Sequence, residues 1–249
     1  MLETDKLKEA MTISEMAYLI LTEANEPLHY KSIFAKISQV KEVKNPSSVQ
    51  SCIYSRNDFI RMGDGYWGLA EWLIDGLSFI YELDYQDCQR QTLEVKTDYQ
   101  FYFPIQEVVT EIEFETKAKT YLCSSRGRQT IMADKLHADF ELQPGSKLII
   151  EVLDINNFKY SLDDFNISPS ELDLTEQNKL LIDLAFEVLK EEEGIMSSAR
   201  LLRRILIKLF KAKQRKFKLE LDPLPPISKL LATDPRFVES LSGIFTLDI

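Results

Sequence analysis

The chain reads as an α+β protein: two units of three helices and a β-hairpin, one at each end, flanking a β-rich middle that would suit a small barrel. Three observations predict this. The two ends align with each other at apolar and turn positions. In each end, apolar residues at helical spacing give way to a glycine-centred hairpin. The middle alternates apolar and polar residues over short runs instead. On these grounds the divisions are 1–74, 75–165 and 166–249.

The repeat rests on two ungapped blocks. At an offset of 168, "AYLILTEANEPLHYKSIFAKI" (17–37) lies on "AFEVLKEEEGIMSSARLLRRI" (185–205), with Ile33, Phe34 and Ile37 on Leu201, Leu202 and Ile205. At an offset of 178, "FIRMGDGYWGL" (59–69) lies on "FVESLSGIFTL" (237–247), with Gly65 on Gly243 and Trp67 on Phe245. The offsets differ by ten residues, which places an insertion between the second and third helices of the C-terminal copy.

In the first copy, a helix beginning near Ser14 turns Met16, Leu19 and Ile20 inward. Pro27 ends it, because proline has no N–H for the helical ladder. A second helix from about Lys31 presents Ile33, Phe34 and Ile37. The third starts where Asn45 can cap it and Pro46 suits the first helical position. Val49, Cys52 and Ile53 form its apolar face, opposite Ser47, Gln50, Ser51, Tyr54 and Ser55. A hairpin follows: strand Phe59–Met62, turn Gly63-Asp64-Gly65, strand Tyr66–Leu69. Three helices and a hairpin make the winged-helix plan. Trp67 is expected in its core and Trp72 at the exit of the wing.

The stretches "AYLILTEANEPLHYKSIFAKI" and "FIRMGDGYWGLAEW" resemble the HARE-HTH family of winged helices over residues 12–73, through Pro-Leu-His-Tyr and Phe-x-x-x-Gly-x-Gly-x-Trp-Gly-Leu. The family includes the N-terminal domain of the bacterial RNA polymerase delta subunit, so the resemblance implies DNA binding or a place beside RNA polymerase. The C-terminal copy (175–249) departs from the pattern. Ile195-Met196-Ser197-Ser198 stands for Pro-Leu-His-Tyr, and Phe245-Thr246-Leu247 for Trp-Gly-Leu.

In the middle, "LSFIYELDY", "TLEVKTDYQFYF", "TEIEFETKAKTYL" and "SKLIIEVLDINNFKYSL" read as strands. Residues 127–154 read as strand, short helix, turn and strand, similar to AbrB-like swapped-hairpin barrels with Ser146 in place of Asp. Glu111, Glu113 and Glu115 share one strand face, a solvated surface. Asp84, Glu94 and Lys96 echo the acid-acid-lysine pattern of PD-(D/E)xK nucleases, which hold Mg²⁺ and orient water.

Net charge is −10, divided as −2 for residues 1–73, −8 for 74–165 and 0 for 166–249. The acidity therefore sits in the middle, which fits a spacer or protein-contact section better than a nucleic-acid groove. No apolar run approaches the length of a membrane span. The opening "MLETDKLKEA" lacks the apolar core of a secretory signal. Three widely spaced cysteines (Cys52, Cys88, Cys123) and two histidines give no metal spacing, and the cysteines read as reduced thiols of a cytoplasmic protein. No phosphate loop, nucleophile elbow or cofactor motif is present.

Within a winged helix, the third helix enters the major groove while the wing and loops hold phosphate. That assigns Gln50, Ser51 and Tyr54 to base edges. Ser47, Ser48, Lys41, Lys44, Arg56 and Arg61 are assigned to the backbone. The run "RLLRRILIKLFKAKQRKFK" adds Arg200, Arg203, Arg204, Lys208, Lys211, Lys213, Arg215, Lys216 and Lys218 without one acid, although "KEEEG" (190–194) lies nearby as counter-charge. The expectation is a non-enzymatic DNA-binding protein of transcriptional regulation or of a restriction or defence system. The alternatives are a protein-interaction module on RNA polymerase or another complex, and a metal-dependent nuclease.

Overall fold

The computed structural model describes residues 11–163, 176–192, 194–212 and 221–248. They divide into two compact units, one ending at Leu73 and one beginning at Ile74. The architecture is mixed α+β.

In the first unit, Thr12 sets the start of α1 (Ile13–Ala24). Its hydroxyl accepts from the Glu15 amide, and Glu15 accepts from the Thr12 amide at 2.7 Å, forming a capping box. The Glu15 carboxyl is held below the usual carboxylate range by the Thr12 amide and hydroxyl. Helix α1 buries Met16, Ala17 and Leu21, while Leu19, expected inward, is 39% exposed. Of the three residues predicted inward, Met16 is buried and Ile20 packs against the core, while Leu19 faces out.

A two-residue strand, β1 (Leu28–His29), leads into α2 (Tyr30–Ile37). His29 caps α2 by accepting from the Lys31 amide through Nδ1. Helix α3 (Pro46–Tyr54) starts as the sequence requires, with Asn45 Oδ1 accepting from the Ser48 amide at 3.1 Å and Pro46 in the first turn. Strands β2 (Phe59–Gly63) and β3 (Tyr66–Leu69) form the hairpin, and β1 pairs with β3 on its other side. Trp67, Phe59 and Leu69 close the core formed by Met16, Leu21, Ile33, Ile37, Val49 and Ile53. Trp67 is 3% exposed, as its expected core role requires.

The second unit begins at Ile74, the last residue of the short helix α4 (Glu71–Ile74). Its strands are β4 (Ser78–Glu82), β5 (Thr92–Glu94), β6 (Glu111–Glu115), β7 (Thr120–Ser125), β8 (Thr130–Met132), β9 (Lys147–Asp154) and β10 (Lys159–Asp163). They form one seven-stranded sheet in the order β4-β9-β10-β6-β7-β8-β5, with β10 and β6 parallel and the other neighbours antiparallel. The outermost strands, β4 and β5, have no ladder between them, so the sheet does not close into a barrel. Helix α5 (Tyr85–Arg90) joins β4 to β5, and α6 (Asp134–Phe140) precedes β9. Residues 130–154 therefore follow the strand, helix, turn, strand order read from sequence.

One strand expectation is overturned. "TDYQFYF" does not continue β5. It forms a 3₁₀ turn at Thr97–Tyr99 and then an irregular segment in which Phe101, Tyr102 and Phe103 are all buried. The segment packs against the sheet instead: Tyr102 stacks on Phe79 with ring centroids 4.0 Å apart, and Phe103 meets Tyr160 at 4.7 Å.

The last section carries α7 (Glu176–Glu191), β11 (Met196–Ser197), α8 (Ser198–Ala212), α9 (Ile227–Leu231), β12 (Phe237–Leu241) and β13 (Ile244–Leu247). Its small sheet repeats the first one pair for pair. Leu28↔Trp67 becomes Met196↔Phe245, and Phe59↔Leu69 becomes Phe237↔Leu247. The register shift between Arg61 and Gly63 recurs between Glu239 and Leu241. The bond from the Tyr30 amide to Gly65 O, 3.0 Å, recurs from Ser198 to Gly243 at 2.8 Å. Helix α8 begins where α2 does but runs past Ile205, the counterpart of Ile37, to Ala212. The insertion thus opens as added helix.

Candidate nucleic-acid interface

On α3, Ser47, Gln50, Ser51 and Tyr54 are spaced i, i+3, i+4 and i+7, so they form one row. Val49 and Ile53 point into the core. Ser47, Ser51 and Tyr54 are exposed and Gln50 is half-buried. Ser48, at the helix start, is engaged with Asn45. Tyr54 is 74% exposed, and its ring stands edge-on to Trp67 with centroids 6.3 Å apart. The polar row of α3 therefore ends at the hairpin.

The candidate cations of this unit divide. Lys44 and Arg61 are exposed and form no ion pair among the described residues. Arg56 pairs with Asp58. Lys41 donates to Met11 O at 2.7 Å and ties the loop before α3 to the start of α1.

The hairpin tip is set by the Pro-Leu-His-Tyr element. Gly65 has φ +79°, and a Cβ there would lie 2.6 Å from His29 Nε2. The His29 ring also meets Tyr30 at 4.6 Å and Tyr66 at 5.4 Å. The tip thus rests on one histidine that also caps α2. Sequence reading assigned His29 no role; its position between a strand pair and a helix cap is a tertiary property. Gly68 has a similar reason, since a Cβ would sit 3.0 Å from the Trp72 ring.

The basic run on α8 is largely partnered where it is described. Arg200 and Arg204 both pair with Glu192, at 2.8 and 2.7 Å. Lys208 lies 2.7 Å from Glu191 and 3.2 Å from Glu187. Burial alone would lower the Lys208 pKa, but these two carboxylates raise it overall. Arg203 lies over the Phe101 ring, 5.2 Å from its centroid. Lys211 is exposed at the end of the helix. Lys213, Arg215, Lys216 and Lys218 lie outside the described residues.

The triad with nuclease spacing is drawn into a structural network. Lys96 Nζ lies 3.0 Å from Asp84 and 2.9 Å from Asp87. Asp87 is fully buried and also accepts from Tyr81 Oη and the Glu94 and Asp84 amides. Burial disfavours the charged Lys96, but Asp87 and Asp84 more than compensate and its pKa rises. The Glu94 carboxylate is turned to Thr130, Thr92 and Arg90. Among the described residues, no three metal-ligand side chains gather to hold an ion. Asp87 was missed in sequence, although its spacing from Asp84 is the capping box of α5. The three cysteines are free thiols. No helix among the described residues is long and apolar enough to cross a membrane.

No family model matches the chain, and no solved structure matches it. Among curated proteins, it is 27% identical over 77 residues to the probable DNA-directed RNA polymerase subunit delta of Halalkalibacterium halodurans, a match over 28% of this chain and 46% of that protein. The chain is thus similar, over under half of that relative's length, to a subunit of the transcription machinery.

Proposed function

We propose that the chain is a non-enzymatic, cytoplasmic DNA-binding protein of transcription, needing no cofactor, whose N-terminal unit is a winged helix of the HARE-HTH kind. The observation that carries this is the polar row Ser47, Gln50, Ser51 and Tyr54 on α3, half-buried at Gln50 and otherwise exposed, with Lys44 and Arg61 exposed on neighbouring segments. Side chains of these types read base edges, and cations beside them neutralise phosphate. The C-terminal run contributes phosphate contacts through Lys211, Lys213, Arg215, Lys216 and Lys218, beyond the ion-paired part of α8. Similarity to a DNA-directed RNA polymerase subunit supports transcription over restriction or defence. The engagement of Lys96 and Glu94 within the sheet section supports a role without catalysis.

A mobility-shift titration with a mixed-sequence duplex tests this. Lys44→Glu with Arg61→Glu should weaken binding about tenfold or more. Lys211→Glu, Arg215→Glu and Lys216→Glu together should weaken it and flatten its salt dependence. Variants that bind as the parent does would remove the assignment.

A second reading is a protein-interaction module on RNA polymerase. It is favoured by the net charge of −10 and by the relative's name. Enrichment of polymerase in a pull-down from nuclease-treated lysate, together with no duplex binding, would favour it.

A further inference from the structure

We infer that the two copies of the repeat have divided their work: the third helix and hairpin of the C-terminal copy clasp the chain's own sheet section, leaving one reading head per chain. The stoichiometric part of this rests on the DNA-binding reading above; the clasp does not.

The first support is what faces α9. Ser228 donates to Asp98 through its amide at 3.1 Å and through its hydroxyl. Lys229 pairs with Glu82. Just before α9, Leu224 is 1% exposed and lies along the edge of β4, exchanging backbone bonds with Ser78 and Ile80 at 2.8 and 2.9 Å. At the hairpin, a Cβ on Gly243 would lie 2.9 Å from Thr97 Cβ, so the tip abuts the turn that carries Asp98. Between these contacts lies a cleft of about 480 Å³ whose sheet-side wall includes Glu82, Asp84 and Asp98. At the offset of 178, Ser228 and Lys229 correspond to Gln50 and Ser51, the residues that would read base edges in the first copy. In the second copy that face is occupied by carboxylates of the same chain.

The second support is independent and lies in the sequence. At the same offset, Lys44, Arg56 and Arg61 correspond to Asp222, Asp234 and Glu239. Three of the four cations assigned in the first copy are replaced by carboxylates, and Lys41 falls on Leu219. Tyr54 corresponds to Ala232. A polyanion meets repulsion here in place of counterion release. The register of the sheet, the buried core and the Gly243 tip bond are all retained. What has changed is the outward chemistry.

The clasp is anchored by the network around Lys96. Asp87, buried beneath Lys96, fixes the strand end from which Thr97 and Asp98 project. The Tyr99 hydroxyl accepts from the Glu82 amide, tying that turn to β4.

Hydrogen exchange on the full chain tests the clasp. In the parent, peptides covering 76–82 and 224–231 should be protected together. Asp98→Ala with Lys229→Ala should speed exchange roughly tenfold across 224–231 while 147–154 stays protected. Unprotected 224–231 in the parent, or unchanged exchange in the variant, would overturn the clasp. A stoichiometric titration with a short duplex should end at one duplex per chain, and Ser228→Ala should leave affinity unchanged. An endpoint of two duplexes, or lost affinity in Ser228→Ala, would overturn the division of work. Absence of any duplex binding would instead remove the DNA-binding reading, with the exchange result still deciding the clasp.

Discussion

At the scale of single residues, the fold depends on a few polar groups that are costly to leave unpartnered. Lys96 is the clearest. It neutralises Asp87, which is 0% exposed, and an uncompensated buried charge costs several kcal/mol. Lys96→Met should therefore destabilise the second unit by about 3 kcal/mol, near the lower end for a broken buried pair because Asp87 keeps its bonds from Tyr81 and two amides. Denaturant unfolding measures this. The pH dependence has a definite sign. Asp84 has its pKa lowered: burial acts upward, but the Asp87 amide and Lys96 outweigh it. Its stabilisation is present above the unfolded carboxylate pKa of about 4 and is lost as pH falls through the lower folded value. Lys96 has a raised pKa, so its share is fully present below the unfolded lysine value of about 10.4 and is lost as pH rises through the higher folded value. Stability of this unit should accordingly hold across the neutral range and fall at the acid extreme, with a smaller acid loss in Asp84→Asn. Gly65 gives a second residue-scale prediction. Gly65→Ala forces a Cβ into a left-handed conformation and toward His29, so it should cost about 1–2 kcal/mol or more. Tm of the N-terminal unit should fall by roughly 4–8 °C per kcal/mol.

At the scale of elements, local chemistry and long-range packing set different features. The start of α3 is written in Asn45-Pro46, and Asn45→Ala should cost about 1 kcal/mol of stability, readable by thermal unfolding. The hairpin was equally legible, because Gly63-Asp64-Gly65 supplies three residues with positive φ between two apolar strands. The acidic row Glu111, Glu113 and Glu115 stands as read, alternating with buried Ile112 and Phe114. Strand β1 was not legible, since two residues carry no period and Leu28-His29 becomes a strand only because β3 is beside it. The Tyr99–Phe103 segment has strand-like composition, and only the sheet that receives it reveals that it is packing. The candidate site follows the same division. The row on α3 could be read from helical spacing. The ion pairs that engage Arg200, Arg204 and Lys208 could be anticipated only from the acids near 190. The contact of Ser228 with Asp98 joins residues 130 positions apart and leaves no local trace.

At the scale of the whole molecule, the two ends share a pattern and differ in surface charge. The same strand registers recur at both ends, yet the outward residues differ in sign: Arg61 in one hairpin, Glu239 in the other. With a net charge of −10, the chain as a whole repels a polyanion, so the proposed duplex binding would have to come from local cations and would weaken steeply as salt rises. The most direct measurement is fluorescence anisotropy of the full chain with a labelled mixed-sequence duplex, from about 50 to 200 mM salt. Saturable binding at low salt that falls with log salt is expected, with a slope reduced by about two in the Lys44→Glu, Arg61→Glu variant. Absence of binding at the lowest salt, or a variant with the parent's slope, would contradict the DNA-binding reading.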